Sequence, residues 1–284
     1  MNIYSNDRDF WENAINTRRS VRAYERRPVG DVVMKRLAAF TDNLETPFPQ
    51  SVEIRYFKTE ENCRLANSLS KPPEDAIAFL AETDPVSAAS VGFVGELVIL
   101  YATGLGLSTC WYGHYCLPEL ERLMPHLGEH AKEPMPKFGI GKGNLTGRRA
   151  ICISPLGYLQ TDGMRLLDRI TSNMMSYKRK PLNERLENGM KSENLPPPLL
   201  FALEMAIKAP SAANTQHWVF NVSPDFKTLT LAKPKGYQHI KWEYPDVCAG
   251  ACAAHFWIGM RMQDIPCAVE LTPDGDRAVW SFKL

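Results

Sequence analysis

The sequence has almost no net charge: 33 Lys and Arg against 32 Asp and Glu leave +1 at pH 7. That removes the usual electrostatic reason to expect a nucleic acid or a polyanionic surface as partner. No charged segment followed by an apolar run opens the chain at Met1–Phe10, so no secretory leader is expected and a cytoplasmic setting is. A cysteine framework is missing too. Seven cysteines, an odd number, lie from Cys63 to Cys267 without regular spacing and read as reduced thiols. Cys248 and Cys252 stand four apart with no second pair to face them, and no two of His217, His239 and His255 have metal-ligand spacing. No metal is expected.

Charge is also missing from one long stretch. Between Asp84 and Glu119 the only Asp, Glu, Lys or Arg is Glu96. A bilayer needs about 20 apolar residues, and this run is long enough. However, Gly104 and Gly106 interrupt it and no Lys/Arg cluster flanks it. A buried helix over about 87–103, followed by a glycine break and a short strand or loop, is the better reading. No membrane partner is expected.

What is present suits a packed core: 44% hydrophobic and 23% charged residues over 284 positions, enough for one large domain or two small ones. Apolar spacing predicts helices over 6–16 (with Asn6 as cap), 31–40 (Val32, Val33, Leu37 and Phe40 on one side), 199–208 and 247–260. Strands are predicted over 53–57, 76–80, 150–154, 218–222, 228–231, 267–271 and 278–282. Residues 124–149 read as a surface excursion and 161–190 as polar with helical fragments. The three prolines of Asn194–Pro198 read as a linker. A faint repeat is visible, in which setting Pro47 against Pro210 brings Tyr56-Phe57 onto Val219-Phe220.

Three segments could carry chemistry. Arg18-Arg19-Ser20-Val21-Arg22 gathers three guanidinium groups and a hydroxyl, which suits a phosphate monoester, although a solvated basic turn is the plain alternative. Ala209 through Trp218 ends a helix with proline, then offers small residues and the Asn214 and Gln216 amides. Small side chains let a backbone approach a flat ligand, and an ordinary helix-to-strand turn has the same features. Gly104 through Gly113 lacks the lysine of a phosphate loop and follows a helix, so it supports only a glycine-relieved turn. Gly139–Gly143 fails the phosphate-loop spacing as well.

In this order and context the segments resemble the FMN-dependent nitroreductase superfamily, in its fused branch where one polypeptide holds two nitroreductase-like halves. Arg18–Tyr24 is similar to the family's Arg-Arg-Ser-x-Arg-x-Tyr/Phe segment, and Gly104–Gly113 to its Gly-Leu-Gly-x-x-x-Cys-Trp-x-Gly run. Ala209–Trp218 is similar to its Ala-Pro-Ser-x-x-Asn-x-Gln-Pro-Trp turn, with His217 in place of proline. Arg179-Lys180-Pro181-Leu182 resembles its closing basic segment, and Asp246, Gly250 and His255 fit the second-half helix.

The resemblance implies an α+β fold with a mixed or antiparallel sheet flanked by helices, two halves (1–193 and 194–284) forming an intramolecular pseudo-dimer. It implies FMN between the halves. Arg18, Arg19 and Ser20 would hold the phosphate and ribityl end, Arg22 would approach the pyrimidine side, and Arg179 would be a second phosphate ligand. Pro210, Ser211, Ala212 and Asn214 would reach the ring and ribityl from the other half, with Gln216 supporting the turn. Backbone amides of Trp111, Tyr112 and Gly113 would lie near flavin N5 and O4, with Cys110 and His114 as packing. The implied activity is hydride transfer from NADH or NADPH through FMN to a small-molecule acceptor, a nitro compound, quinone or other electron-poor molecule, by a monomer. No acid or base residue is implied. A flavin-binding protein without turnover stays open, as do dehalogenation and flavin-ring cleavage. One FMN per chain is expected, because the arginine cluster and the intact turn each occur once. At the first half's equivalent turn Phe48 replaces Ser211, Ser51 replaces Asn214, and Glu53 replaces Gln216 as an unpaired carboxylate.

Overall fold

The computed structural model describes residues 3–66, 69, 71–125, 148–160, 178–239 and 242–284. The glycine run 139–143, almost all of the expected excursion and the fragments of 161–177 lie outside the described residues.

A short α1 (Ile3–Asn6) leads into α2 (Arg8–Thr17), which buries Trp11, Ala14 and Ile15. Asn6 is therefore not the cap. The chain is already helical there, whereas a cap needs a non-helical backbone, and Asp7 takes that position without a side-chain bond. In α3 (Asp31–Asp42) Leu37 is buried, but Val32 in the first turn is 73% exposed and does not belong to the apolar face.

The uncharged stretch forms α4 (Pro85–Gly104). Its start is fixed locally: Asp84 Oδ1 accepts from the N–H groups of Val86 at 2.9 Å and Ser87 at 3.0 Å. Pro85 takes the first helical position, where an N–H would have no intrahelical acceptor anyway. Among the described residues α4 is the one helix long and apolar enough to cross a membrane. Here every residue from Ala88 to Leu100 is buried inside the protein itself. The short α5 (Leu117–Leu123), which the sequence pattern does not announce, follows and buries Leu120.

Two four-stranded sheets flank this helix. Strands β1 (Glu53–Lys58), β2 (Asp75–Ala81), β3 (Ser108–Thr109) and β4 (Arg149–Gly157) pair in the order β1-β2-β4-β3. Strands β5 (Val219–Val222), β6 (Thr228–Ala232), β7 (Ala268–Asp274) and β8 (Arg277–Lys283) pair in the order β5-β6-β8-β7. Every pairing is antiparallel, and parallel contact is limited to isolated bridges such as Ser20–Thr109 and Leu186–Phe220. In both halves a helix precedes the first strand and another joins the second strand to the third. Those helices are α3 and α4 in the first half, α6 (Pro197–Ala206) and α7 (Asp246–Arg261) in the second. The faint repeat is a repeat of topology.

The proline segment is no linker. Pro196 caps α6, and Pro197 and Pro198 fill its first turn, where a missing N–H costs no hydrogen bond. Leu195 beside them is in the core. That core is shared: Trp11, Phe93 and Leu97 cluster with Leu199, Trp218 and Trp280.

The halves meet where α4 crosses α7 backbone to backbone. A Cβ on Gly92 would lie 2.1 Å from the Val247 carbonyl oxygen, and one on Gly250 would lie 2.0 Å from that of Ala89. Each glycine faces the residue three before the other glycine, the signature of an approximate two-fold axis through the crossing.

Candidate functional site

The arginine arm leaves α2 and runs along the first sheet. Ser20 bridges to Thr109, and the Val21 N–H donates to the Thr109 carbonyl at 2.9 Å. This turns Arg18 inward, where it is 8% exposed with Nε 3.6 Å from Glu96 Oε1. The Arg18 Nε is buried without a hydrogen-bond acceptor among the described residues. Arg19 is exposed. Arg22 Nη1 donates to the Ser20 carbonyl at 3.4 Å. Burial pushes the neighbouring Cys110 thiol pKa up, while Arg22 and the Ser20 hydrogen bond pull it down.

The second-half turn is held in an unusual backbone. Ala213, Asn214 and Gln216 have φ of 49°, 54° and 52°, a left-handed region that asparagine tolerates and alanine does not. Such residues cost about 1–3 kcal/mol each unless the surroundings fix them. Here they are fixed. Ser211 Oγ accepts from the Gln216 N–H at 2.9 Å, and Gln216 Oε1 accepts from the Lys180 N–H at 2.8 Å. Gln216 Nε2 donates to the Lys178 carbonyl at 3.0 Å. Arg179 Nη1 donates to Asn214 Oδ1 at 2.6 Å, while its Nε and Nη2 donate to the Lys208 carbonyl. The Ala212 N–H reaches Cys248 Sγ on α7 at 3.2 Å.

Arm and turn meet at a cavity of about 370 Å³. Of the residues singled out in sequence, Ser20, Trp111, Tyr112 and Gly113 line it from one half, and Pro210, Ser211 and Ala212 from the other. Arg18, Arg19, Arg22, Arg179, Asn214 and Gln216 do not line it. The side chains of Asn214 and Gln216 are spent on the turn. Wall residues missed in sequence include Cys152, Cys248, His239 and Trp242. They carry no local pattern, because strand, helix and loop meet only in three dimensions. Trp242 lies so close to Gly113 that a Cβ there would be 2.2 Å from the indole Nε1.

A buried network underlies this wall. Trp111 lies across α4, where a Cβ on Gly95 would be 2.3 Å from its ring, and Trp111 Nε1 donates to Glu96 Oε2 at 2.8 Å. From α7, His255 Nε2 lies 2.9 Å from Glu96 Oε1 and its Nδ1 lies 3.1 Å from the Met205 carbonyl oxygen. Both side chains are 0% exposed. The signal for Glu96 was legible as the lone charge in a long uncharged stretch, and its partners were not. Arg179 belongs to the same neighbourhood: burial lowers its guanidinium pKa, Arg18 adds to that and Glu96 opposes it.

These residues fit a cofactor with an apolar ring and an anionic tail. An almost fully buried guanidinium whose Nε lacks an acceptor asks for one, and the cavity that Ser20 lines two residues further on has apolar and aromatic walls.

A family profile described as "Putative TM nitroreductase" matches residues 12–125 and 135–259. The chain belongs to this nitroreductase family. Among solved structures, a "putative nitroreductase" from Thermotoga maritima MSB8 is similar at 21% identity and a TM-score of 0.60, covering 97% of this chain and 93% of that one. A nitroreductase family protein from Clostridium difficile 630 covers 63% of this chain and 97% of its own at 16% identity and a TM-score of 0.40. An FMN-dependent nitroreductase from Clostridium difficile R20291 covers 53% and 88% at 17% and 0.37. No curated protein matches the chain. Family membership supports oxidoreduction as the general activity, on a nitroreductase fold of two repeated halves.

Proposed function

We propose that this family member is an FMN-dependent oxidoreductase that takes hydride from NADH or NADPH and passes it to a small, electron-poor acceptor such as a nitro compound or quinone. The observation that carries the reading is the composite cavity, where Ser20 of the arginine arm and Pro210, Ser211 and Ala212 of the turn converge from opposite halves. FMN, when bound, supplies hydride uptake and release at its ring N5.

The chain supplies position. Trp111, Trp242 and Val247 present apolar surface that excludes water from the ring. Ser20 and Ser211 offer hydroxyls; the Tyr112 N–H is spent on the Ile153 carbonyl at 2.9 Å, which leaves the Gly113 backbone, on the side that Trp242 does not cover, to meet a flat ligand. Arg18, with Arg19, Ser20 and Arg179, holds the phosphate end, and Arg22 approaches the pyrimidine side. Pro210, Ser211 and Ala212 form the opposite wall and ribityl contact, kept in shape by Asn214 and Gln216. No side chain is assigned as acid or base. The protein acts as a monomer in the cytoplasm, each half taking the place of a subunit.

The visible spectrum of the purified or FMN-reconstituted protein is the first test, followed by stopped-flow reduction. The expected outcome is a yellow protein bleached by NADH or NADPH and reoxidised by an added acceptor. Bleaching only by dithionite would make it a binding module. No flavin uptake at all would overturn the reading.

A further inference from the structure

Glu96 and His255 face each other across the α4–α7 crossing, one from each half, with no access to water. The proton count of this pair can be worked out from its neighbours. His255 Nδ1 faces the Met205 carbonyl oxygen, which can only accept, so that nitrogen carries a proton. His255 Nε2 faces Glu96 Oε1, so one further proton lies in that bond. A neutral pair would put it on the carboxyl group. An ionised pair would put it on the ring.

Glu96 is held at both oxygens. Trp111 Nε1 donates to its second oxygen at 2.8 Å, and the Arg18 guanidinium lies 3.6 Å from the first. Burial of the pair is offset because its members are in contact and hydrogen-bonded on all sides the structure describes. The other ionisable groups facing the cluster are Arg179 and the Cys252 thiol, and the latter donates to the Ala206 carbonyl.

Arg18 has a problem that this pair solves. Glu96 holds it in place, yet a lone carboxylate at 3.6 Å would cancel the charge of a guanidinium intended for an anion. We infer that His255 is a positioning residue that shares a proton with Glu96, so that the pair carries no net charge and leaves Arg18 and Arg179 as two net positive charges for a phosphate monoester. The inference rests on the FMN reading for its ligand. At pH 7 a phosphate monoester carries a charge of about −1.5 to −2, which two uncompensated guanidinium groups match. Glu96 at the same time anchors the Trp111 wall, so one buried pair couples the charge at the tail to the surface beside the ring.

Riboflavin, which has the same ring and no phosphate, is the control ligand. FMN and riboflavin are titrated by fluorescence quenching into wild type, His255→Gln and the double variant Glu96→Gln/His255→Gln. In His255→Gln the Glu96 charge is uncompensated, and FMN should bind about tenfold more weakly while riboflavin stays within about threefold. In the double variant the carboxylate is gone as well, so most of the FMN affinity should return. Equal loss for both ligands, or a double variant weaker than the single, would overturn the inference. The wild-type protein with 15N-labelled histidine gives an independent reading that needs no ligand. The His255 ring should carry a proton on Nδ1 and share a second between Nε2 and Glu96, and a spectrum with Nδ1 unprotonated would overturn the proposal. If wild type binds neither flavin, the FMN reading fails, while the histidine spectrum still decides the protonation of His255.

Discussion

Asp246 opens α7 with a carboxyl group that is only 3% exposed, and its Oδ1 accepts from the Ala278 N–H at 2.8 Å. Burial pushes its pKa up to about 6, against the opposing pull of that N–H and of Lys233. A carboxyl group raised in the folded state binds its proton more tightly there than in the unfolded chain. Its stabilising contribution is complete below the ordinary value near 3.8 and is lost as pH rises through about 6. Asp246→Asn keeps an acceptor for Ala278 without the titration. Chemical denaturation at pH 4 and pH 7 should show wild type gaining about 2 kcal/mol relative to the variant at the lower pH. A stability difference between the two that does not change with pH would contradict the raised value.

The elements are ordered by one crossing. α4 and α7 approach so closely that the only residues fitting at the contact are Gly92 and Gly250, each with the other helix's carbonyl where a Cβ would be. Replacing either forces the backbones apart, and overpacking of this kind costs about 1–3 kcal/mol. Gly92→Ala should lower the unfolding midpoint accordingly. It should also weaken flavin binding, because Val247, Cys248 and Ala251 on the displaced helix line the cavity. Gly30 is the control: nothing lies within 4 Å of its Cβ position, and Gly30→Ala at that helix cap should cost less than about 1 kcal/mol. Equal effects of the two alanines would show that the crossing tolerates separation.

Across the whole molecule the approximate two-fold axis raises the question of a second site. The crossing sets Gly250 against Gly92, which carries Ala251 in the cavity wall onto Phe93. Phe93 is fully buried, stacks on Trp280 at 5.1 Å and meets Phe48 edge-on at 5.1 Å. The mirror position is therefore filled by three aromatic rings, with Phe48 standing where the second half has Ser211. The expected electrostatic reason for its closure does not hold. Glu53 is not unpaired, since Arg55 and Arg148 both bind it, the latter at 3.1 Å. Packing closes the mirror site. Flavin titration should end near one FMN per chain. Phe48→Ala should lose about 3–5 kcal/mol of stability as a buried aromatic removed, with FMN affinity nearly unchanged. Two flavins per chain, or a strong loss of flavin in this variant, would sink the one-site account.

The sequence alone determined what is local. The long apolar runs of α4 and α7, alternation in β5 and β8, the Asp84-Pro85 start of α4 and the small-residue turn after α6 each depend on neighbours within a few positions. It also held the lone charge of Glu96, though not its use. Tertiary structure decided everything that needed a partner far along the chain. It placed Arg18 inside rather than in solvent, spent Asn214 and Gln216 on their own turn, and made Trp242 and Cys152 walls of one cavity. It turned three prolines from a break into the cap and first turn of a helix, because the residue before them is buried and the missing N–H groups were not needed. Most of all it joined His255 to Glu96 across 159 positions. Hydrogen bonds within one element follow from spacing, whereas a bond between two helices exists only once their crossing is fixed.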